Sequence, residues 1–255
     1  FQNMISIWDN LTPFIEGYTY QVVRAGRYYT DQVTSSAVIT PSDSALIAEL
    51  GFEFAAAQIS KPSAADSEVI NKVYLSLQGL PGFKAARPDM NAELLNEAHS
   101  IGNNLVTYLK KSKRVSYIFH PIVPGCGVVD ETRADIIGNG EIIEVKAVRR
   151  TFQSMDLRQL LTYACMSVAS GNEVDTLTLL NPRLGTKFSS SLSDVCYNIS
   201  GSNSVDLLYH IQRAIQDIPA SVSQAISFMF VFCRLTRPNP HYPSALCCTL
   251  ALPGF

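Results

Sequence analysis

The sequence predicts an α/β fold, and three observations carry that prediction. Between residues 89 and 180 an amphipathic helical stretch, three strand-like runs, a second helical stretch and a further apolar run follow one another, an order from which a sheet with packed helices is built. Asn139-Gly140 separates two apolar runs, and a type I′ hairpin turn wants positive φ at both central positions, which Asn and Gly tolerate best. The composition is that of a globular chain, with 255 residues, 47% of them hydrophobic and 16% charged. A disordered or highly charged tail protein is thereby excluded.

Taken in chain order, residues 18–23 and 27–35 read as a hairpin across Ala25-Gly26. Residues 42–59 read as a helix capped by Ser42 or Asp43, and residues 65–77 as another. Gly79-Leu80-Pro81-Gly82 then breaks the chain, which sets a boundary between a mixed N-terminal accessory region, 1–85, and a core, 86–220. Within that core, residues 89–113 place Leu94, Leu95, Ala98, Ile101, Leu105, Val106 and Leu109 on one helical stripe, with Asp89 as the cap. Three strands are expected at 115–122, 127–137 and 141–148, then a helix at 154–169 and an apolar strand at 176–180. A turn at Asn181-Pro182-Arg183-Leu184-Gly185 leads to a strand at 187–192, and a helix at 204–217 follows. Strands at 226–235 and 244–252 form a C-terminal hairpin, 221–255, expected to pack on the core.

Several function classes fall away at this point. The longest unbroken apolar run, 228–233, has six residues, far short of the roughly 20 that a membrane helix needs, so no membrane partner is expected. The first residues, Phe1-Gln2-Asn3-Met4, lack the basic and apolar segments of a secretion signal, and position 1 is not Met, which suggests a piece of a longer parent chain. The six Cys, at 126, 165, 196, 233, 247 and 248, form no CxxC pair. They read as free thiols in a reducing intracellular compartment, cytoplasmic or nuclear, rather than as a secreted framework. A net charge of −2 is not that of a general nucleic-acid coater, so any such contact must come from local patches. No P-loop, G-x-G-x-x-G after a strand, H-E-x-x-H or G-x-S-x-G pattern is present.

The chemistry concentrates in residues 133–148. If Asn139-Gly140 forms its turn, Gly138 pairs with Glu141, Ile137 with Ile142, Ile136 with Ile143 and Asp135 with Glu144. The two acids then stand opposite each other, and Lys146, two residues beyond Glu144, projects from the same face. Ala134, Ile136, Ile143, Val145 and Ala147 form the other, packing face. Opposed carboxylates destabilise a strand pair. A divalent cation between them is the simplest compensation, because Mg²⁺ and Mn²⁺ take hard oxygen ligands and complete their shell with water and phosphate. Beside such an ion, Lys146 would hold an attacking water or offset charge on a phosphate.

Asp135…Glu144-Val145-Lys146, on a hairpin with a helix before and after it, resembles the PD-(D/E)XK nuclease superfamily. Thirteen residues after Lys146, Gln159-Leu-Leu-Thr-Tyr163 resembles the Q-x-x-x-Y motif of its RecB-like and lambda-exonuclease-like branch, with both side chains on one helical face. The resemblance covers roughly residues 88–192. It implies a restriction-endonuclease-like core, a mixed central sheet flanked by helices, with Mg²⁺- or Mn²⁺-dependent hydrolysis of phosphodiester bonds. It further implies that Asp135, Glu144 and the carbonyl of Val145 bind metal, that Lys146 assists the water, and that Gln159 and Tyr163 help place the strand. An acid from the preceding helix is expected to join the metal site, Glu97 first and Glu93 second, and His99 and His120 are candidates for a further ligand. Two departures are visible: Ala134 stands where the superfamily name has Pro, and Gly127-Val-Val-Asp130 offers a rival acid of opposite parity to Asp135. The Asn-Gly turn favours Asp135, and a bulge would be needed to bring in Asp130.

Basic residues lie around the motif: Lys110, Lys111, Lys113 and Arg114, then Arg149, Arg150 and Arg158, and later Arg183 and Lys187. Arg149, Arg150, Arg158 and Arg183 are the candidates for phosphate contact. The expected activity is a divalent-metal-dependent nuclease, with DNA favoured over RNA as the nucleic-acid substrate. A helicase or ATPase partner, or a homo-oligomer, would suit that branch. The rival reading is a catalytically silent module of the same fold that binds nucleic acid or a partner protein.

Overall fold

A computed structural model describes residues 7–33, 41–62, 64–78, 92–112, 116–126 and 131–217. Helices α1 (Ile7–Leu11) and α2 (Ile15–Tyr18), the latter running on as a π-helical turn Thr19–Val23, precede strand β1 (Arg27–Tyr28). Then come α3 (Pro41–Ser60), α4 (Asp66–Gln78), α5 (Ala92–Lys111), β2 (Ile118–Phe119), β3 (Ile122–Val123), β4 (Thr132–Arg133), β5 (Ile136–Gly138) and β6 (Glu141–Val145). The chain continues through α6 (Ser154–Ala169), β7 (Thr176–Asn181), β8 (Thr186–Ser191), α7 (Leu192–Ser200) and α8 (Ser204–Gln216). The fold is α/β, as expected: a six-stranded sheet in the order β1-β8-β7-β6-β5-β2, with a small β3-β4 ribbon beside it.

Connection lengths explain the mixture of directions. β5 and β6 are joined by Asn139-Gly140, whose φ values of 29° and 76° are both positive, so the pair is a tight antiparallel hairpin. Its register is the expected one, with Gly138 opposite Glu141, Ile137 opposite Ile142 and Ile136 opposite Ile143. β6 and β7 run parallel, which requires a long crossover, and α6 supplies it. β7 and β8 are antiparallel across the turn that contains Arg183.

Strand alternation directs the core to both faces. Ile142, Leu177, Leu179 and Phe188 pack with Leu157, Leu160, Leu161 and Ala164 of α6 and with α7 and α8. On the other face Ile136, Ile143 and Leu180 meet Phe52 and Ala55 of α3 and Leu105, Val106 and Leu109 of α5. Each of the three fully buried leucines of α6 contributes roughly 1.5–3 kcal/mol. Packing therefore fixes the helix, and its polar residues are carried to the sheet with it.

Several expectations need correction. Residues 18–23 are helical rather than a hairpin strand: Ile15, Thr19 and Val23 are buried while Tyr20 and Val22 are exposed, a spacing of four that belongs to a helix. The strand expected at 115–122 breaks at His120, which has φ 50° and precedes Pro121, so Ile118–Phe119 and Ile122–Val123 pair with different partners. The strand expected at 127–137 likewise divides into β4 and β5. Residues 127–130, with Asp130, lie outside the described residues, as do Lys113, Arg114 and residues 221–255, where a hairpin is expected from the sequence. Helix α7 was not expected. Leu192, Val195, Cys196 and Ile199 are its buried stripe, and Ser191 Oγ accepts the Asp194 N–H at 3.0 Å as a cap. The N-terminal region is built into the core, since β1 extends the sheet beside β8 and α3 lines one face of it. No helix among the described residues is long and apolar enough to cross a membrane. Cys126, Cys165 and Cys196 are free and buried, and burial pushes the thiols of Cys165 and Cys196 up to about 12.

Candidate active site

The site forms where the β5–β6 hairpin meets the first turns of α6. Asp135 immediately precedes β5 and is 4% exposed, and Glu144 lies in β6 with no exposure. Their side chains do not simply face each other. Asp135 Oδ2 accepts the N–H of Val145 at 2.8 Å, while Glu144 Oε1 accepts from Lys146 Nζ at 2.7 Å. Thus the backbone of the E-x-K segment and its lysine each take up part of the charge that the opposed acids bring.

Lys146 links the hairpin to the helix. Its Nζ also donates to Gln159 Oε1 at 2.7 Å, and Gln159 Nε2 donates to the Tyr163 hydroxyl at 2.9 Å. The i, i+4 pair on α6 is therefore aligned behind the lysine, with the amide orientation set by what lies at either end. Gln159 is 6% exposed and Tyr163 3%, and the Tyr163 ring belongs to the core under the sheet. Burial alone would lower the Lys146 pKa, but the charges of Glu144, Asp156 and Asp135 outweigh it and hold the ammonium above its ordinary 10.5.

Asp156 was not anticipated from the sequence. It stands 4.0 Å from Lys146 Nζ and is held by Arg150 through two bonds, Nη1 to Oδ2 at 2.6 Å and Nη2 to Oδ1 at 2.8 Å. The N–H of Gln153 adds a bond to Oδ2 at 2.9 Å, closing the start of α6. Burial raises the Asp156 carboxyl, yet the Arg150 hydrogen bonds and the Lys146 charge outweigh it and keep it below the usual 3.8. One signal was available: Asp156 is three residues before Gln159, on the same helical face.

The remaining candidates occupy a second group and the periphery. Glu97, not Glu93, is the buried acid of α5, and its partner is Arg183. Arg183 is 1% exposed, donates Nε to the Ala147 carbonyl at 3.0 Å, and so fastens the chain just after Lys146 to α5. Arg149 reaches the same Glu97 oxygen at 3.8 Å and is itself partly exposed. Asn181, fully buried, donates to the carbonyls of Val148 and Arg150 and accepts the N–H of Arg183 and Leu184. Buried in this way, Arg183 braces the site rather than meeting a phosphate at the surface. Arg158 pairs with Asp9 and Glu16, tying α6 to the N-terminal helices. His120 donates its backbone N–H to the Asp135 carbonyl at 2.9 Å, while its ring meets Glu53, which also pairs with Lys72. His99 stacks on Phe54 and pairs with Asp66.

Chemically, this is a buried constellation of three carboxylates, one ammonium and an oriented amide. Asp135 and Glu144 carry the hard oxygens that Mg²⁺ or Mn²⁺ takes. Among the described residues no cluster of three or more His, Cys, Asp or Glu is arranged to hold a metal ion. A cation here would therefore rely on Asp135, Glu144, a backbone carbonyl such as that of Val145, and oxygens of water or substrate. No protein-family model matches the chain, nor does any curated protein or solved structure.

Proposed function

We propose that the chain is a divalent-metal-dependent nuclease of the PD-(D/E)XK type, hydrolysing phosphodiester bonds with DNA favoured over RNA. The observation that carries this reading is the position of Lys146 Nζ, 2.7 Å from both Glu144 Oε1 and Gln159 Oε1. That single atom unites two patterns thirteen residues apart. The mixed sheet flanked by helices is compatible with a restriction-endonuclease-like core.

Asp135 and Glu144 would hold Mg²⁺ or Mn²⁺, which supplies polarisation of the scissile phosphate and a nucleophile at neutral pH. Lys146, kept protonated by its acidic neighbours, donates to charge that develops on phosphate oxygen. Gln159 aims the ammonium, and Tyr163 fixes which end of the Gln159 amide faces it. Asp156 Oδ1, 4.0 Å from Lys146 Nζ, is a second carboxylate beside the ammonium. Arg149, a third of whose side chain is exposed, would meet a phosphate of the approaching strand.

The test is cleavage of labelled single- and double-stranded DNA and RNA with Mg²⁺, Mn²⁺ or EDTA, alongside Lys146→Ala. Metal-dependent cutting that the substitution removes is the expected result. No cutting of any substrate, together with no Mn²⁺ binding by calorimetry, would leave a silent nuclease-fold module that binds nucleic acid or a partner.

A further inference from the structure

Three carboxylates act on Lys146: Glu144, Asp156 and Asp135. If the nuclease reading holds, two of them are the acids that a divalent cation would occupy, and the third has no place in that coordination. Lys146 is 3% exposed, so its charge is balanced by buried neighbours rather than by bulk water. Once Glu144 is engaged elsewhere, Asp156 is the carboxylate that remains for it.

The geometry prepares Asp156 for this role. Its Oδ2 takes two donors, Arg150 Nη1 and the Gln153 N–H, while Oδ1, the oxygen 4.0 Å from Lys146, takes Arg150 Nη2. A carboxylate oxygen accepts two hydrogen bonds, so Oδ1 keeps capacity for the ammonium. Moving Nζ by about 1.2 Å would bring it to charge-assisted hydrogen-bond distance. Asp156 itself is 2% exposed and pinned by the Arg150 fork, so the lysine moves and the acid does not. Gln159 Oε1, already bonded to Nζ, steadies the ammonium across that short path.

We propose, resting on the nuclease reading, that Asp156 is a positioning residue of this site: it takes the Lys146 ammonium when Asp135 and Glu144 hold a divalent cation. Arg150 acts through Asp156, fixing it in place, and is not primarily a phosphate contact. Without Asp156, the ammonium would stay against Glu144 and compete with the cation for it.

The experiment is calorimetric titration of the full chain with Mn²⁺, in a double-variant cycle of Asp156→Asn and Lys146→Met, with each variant's folding followed by circular dichroism. Asp156→Asn is expected to weaken Mn²⁺ binding about tenfold when Lys146 is present. In the Lys146→Met background the same substitution should change it by less than about twofold. Equal weakening in both backgrounds would overturn the proposal, because Asp156 would then act only through the start of α6. Equal Mn²⁺ affinity of the unsubstituted protein and Asp156→Asn would overturn it too, while leaving the nuclease reading intact. Absence of Mn²⁺ binding by the unsubstituted protein would overturn both. Where Asp156→Asn does not fold, Arg150→Gln, which loosens the same acid, is read in the same two backgrounds.

Discussion

Arg183→Ala separates a bracing role from a substrate-binding one. The pair that Arg183 makes with Glu97 is almost completely shielded, each side chain being 1% exposed. Removing one partner of a buried ion pair costs roughly 3–5 kcal/mol, because the other charge stays buried. The Nε bond to the Ala147 carbonyl adds about 1 kcal/mol when lost. Arg149 offsets part of this, since it already lies 3.8 Å from Glu97, but a third of its side chain is exposed and screening discounts the pairing. The net expectation is a loss of about 3–4 kcal/mol. For a chain of this size that corresponds to a fall in Tm of roughly 6–16 °C, at about 2–4 °C per kcal/mol. Urea titration followed by circular dichroism measures it, and the slope of the transition should not change. Adding Glu97→Gln removes the stranded charge, so the double variant should be less destabilised than the sum by about 1–3 kcal/mol. A loss below about 1 kcal/mol for Arg183→Ala, with additive behaviour in the double variant, would refute the bracing role. Weakened nucleic-acid binding at undiminished stability would then restore Arg183 as a substrate contact.

Lys146→Met should lower the cleavage rate by about 10²–10³-fold, the usual effect of removing one donor to developing charge, while calorimetry still detects Mn²⁺. Asp135→Asn and Glu144→Gln should abolish metal-dependent cleavage with folding intact by circular dichroism, and normal cleavage by Asp135→Asn would transfer the metal role to Asp130. Tyr163→Phe keeps the core ring and removes the group that fixes Gln159, so stability should fall by about 0.5–1.5 kcal/mol while cleavage falls more than that loss explains. Burial pushes Glu53 up, but hydrogen bonds from His120 and Lys72 outweigh it and hold the carboxyl below its ordinary 4.5. A depressed pKa contributes stability that is fully present above pH 4.5 and lost as pH falls through the folded value, so Glu53→Gln should flatten the acid limb of a pH–stability profile. Gly185 has φ 67° and a side-chain carbon there would collide with the Thr30 carbonyl. Gly185→Ala should therefore destabilise by more than about 2 kcal/mol in the same urea titration.

What was legible in the sequence is what depends on near neighbours. The Asn139-Gly140 turn and strand parity were enough to bring Asp135, Glu144 and Lys146 together, and helical spacing was enough to align Gln159 with Tyr163. Helix α6 appears at Ser154–Ala169, the expected limits, because its apolar stripe is long and uninterrupted. What escaped depends on distant partners or on an unusual backbone. Nothing local announces a left-handed His120; its N–H is held by Asp135, fifteen residues on. Helix α7 is hidden in the sequence because Ser191, its cap, also ends β8, so the strand pattern runs one residue into the helix. Asp156 looks from the sequence like a helix-start acid, which it is through the Gln153 N–H; only the fold brings it to Lys146. Arg183 reads as a surface cation because a turn is usually exposed, whereas Glu97 meets it in the core.

Strand β1 lies at one edge of the sheet and pairs with β8, Arg27 against Lys187 and Tyr28 against Thr186. The Arg158–Glu16 contact spans a sequence separation of 142 residues, and the Arg24 bond to the Phe152 carbonyl spans 128. Closures of that length carry a large entropic barrier before any contact offsets it, and chains rich in them fold slowly. As the chain is made, β1, α1 and α2 are complete long before their distant partners β8, α8 and α7. The hairpin of Asp135 and Glu144, closed by a two-residue turn, needs no such delay. The two acids are thus joined by a short closure, whereas the brace from Arg183 to Glu97 closes across 86 residues, so by separation alone the centre of the pocket is expected to form before its rim.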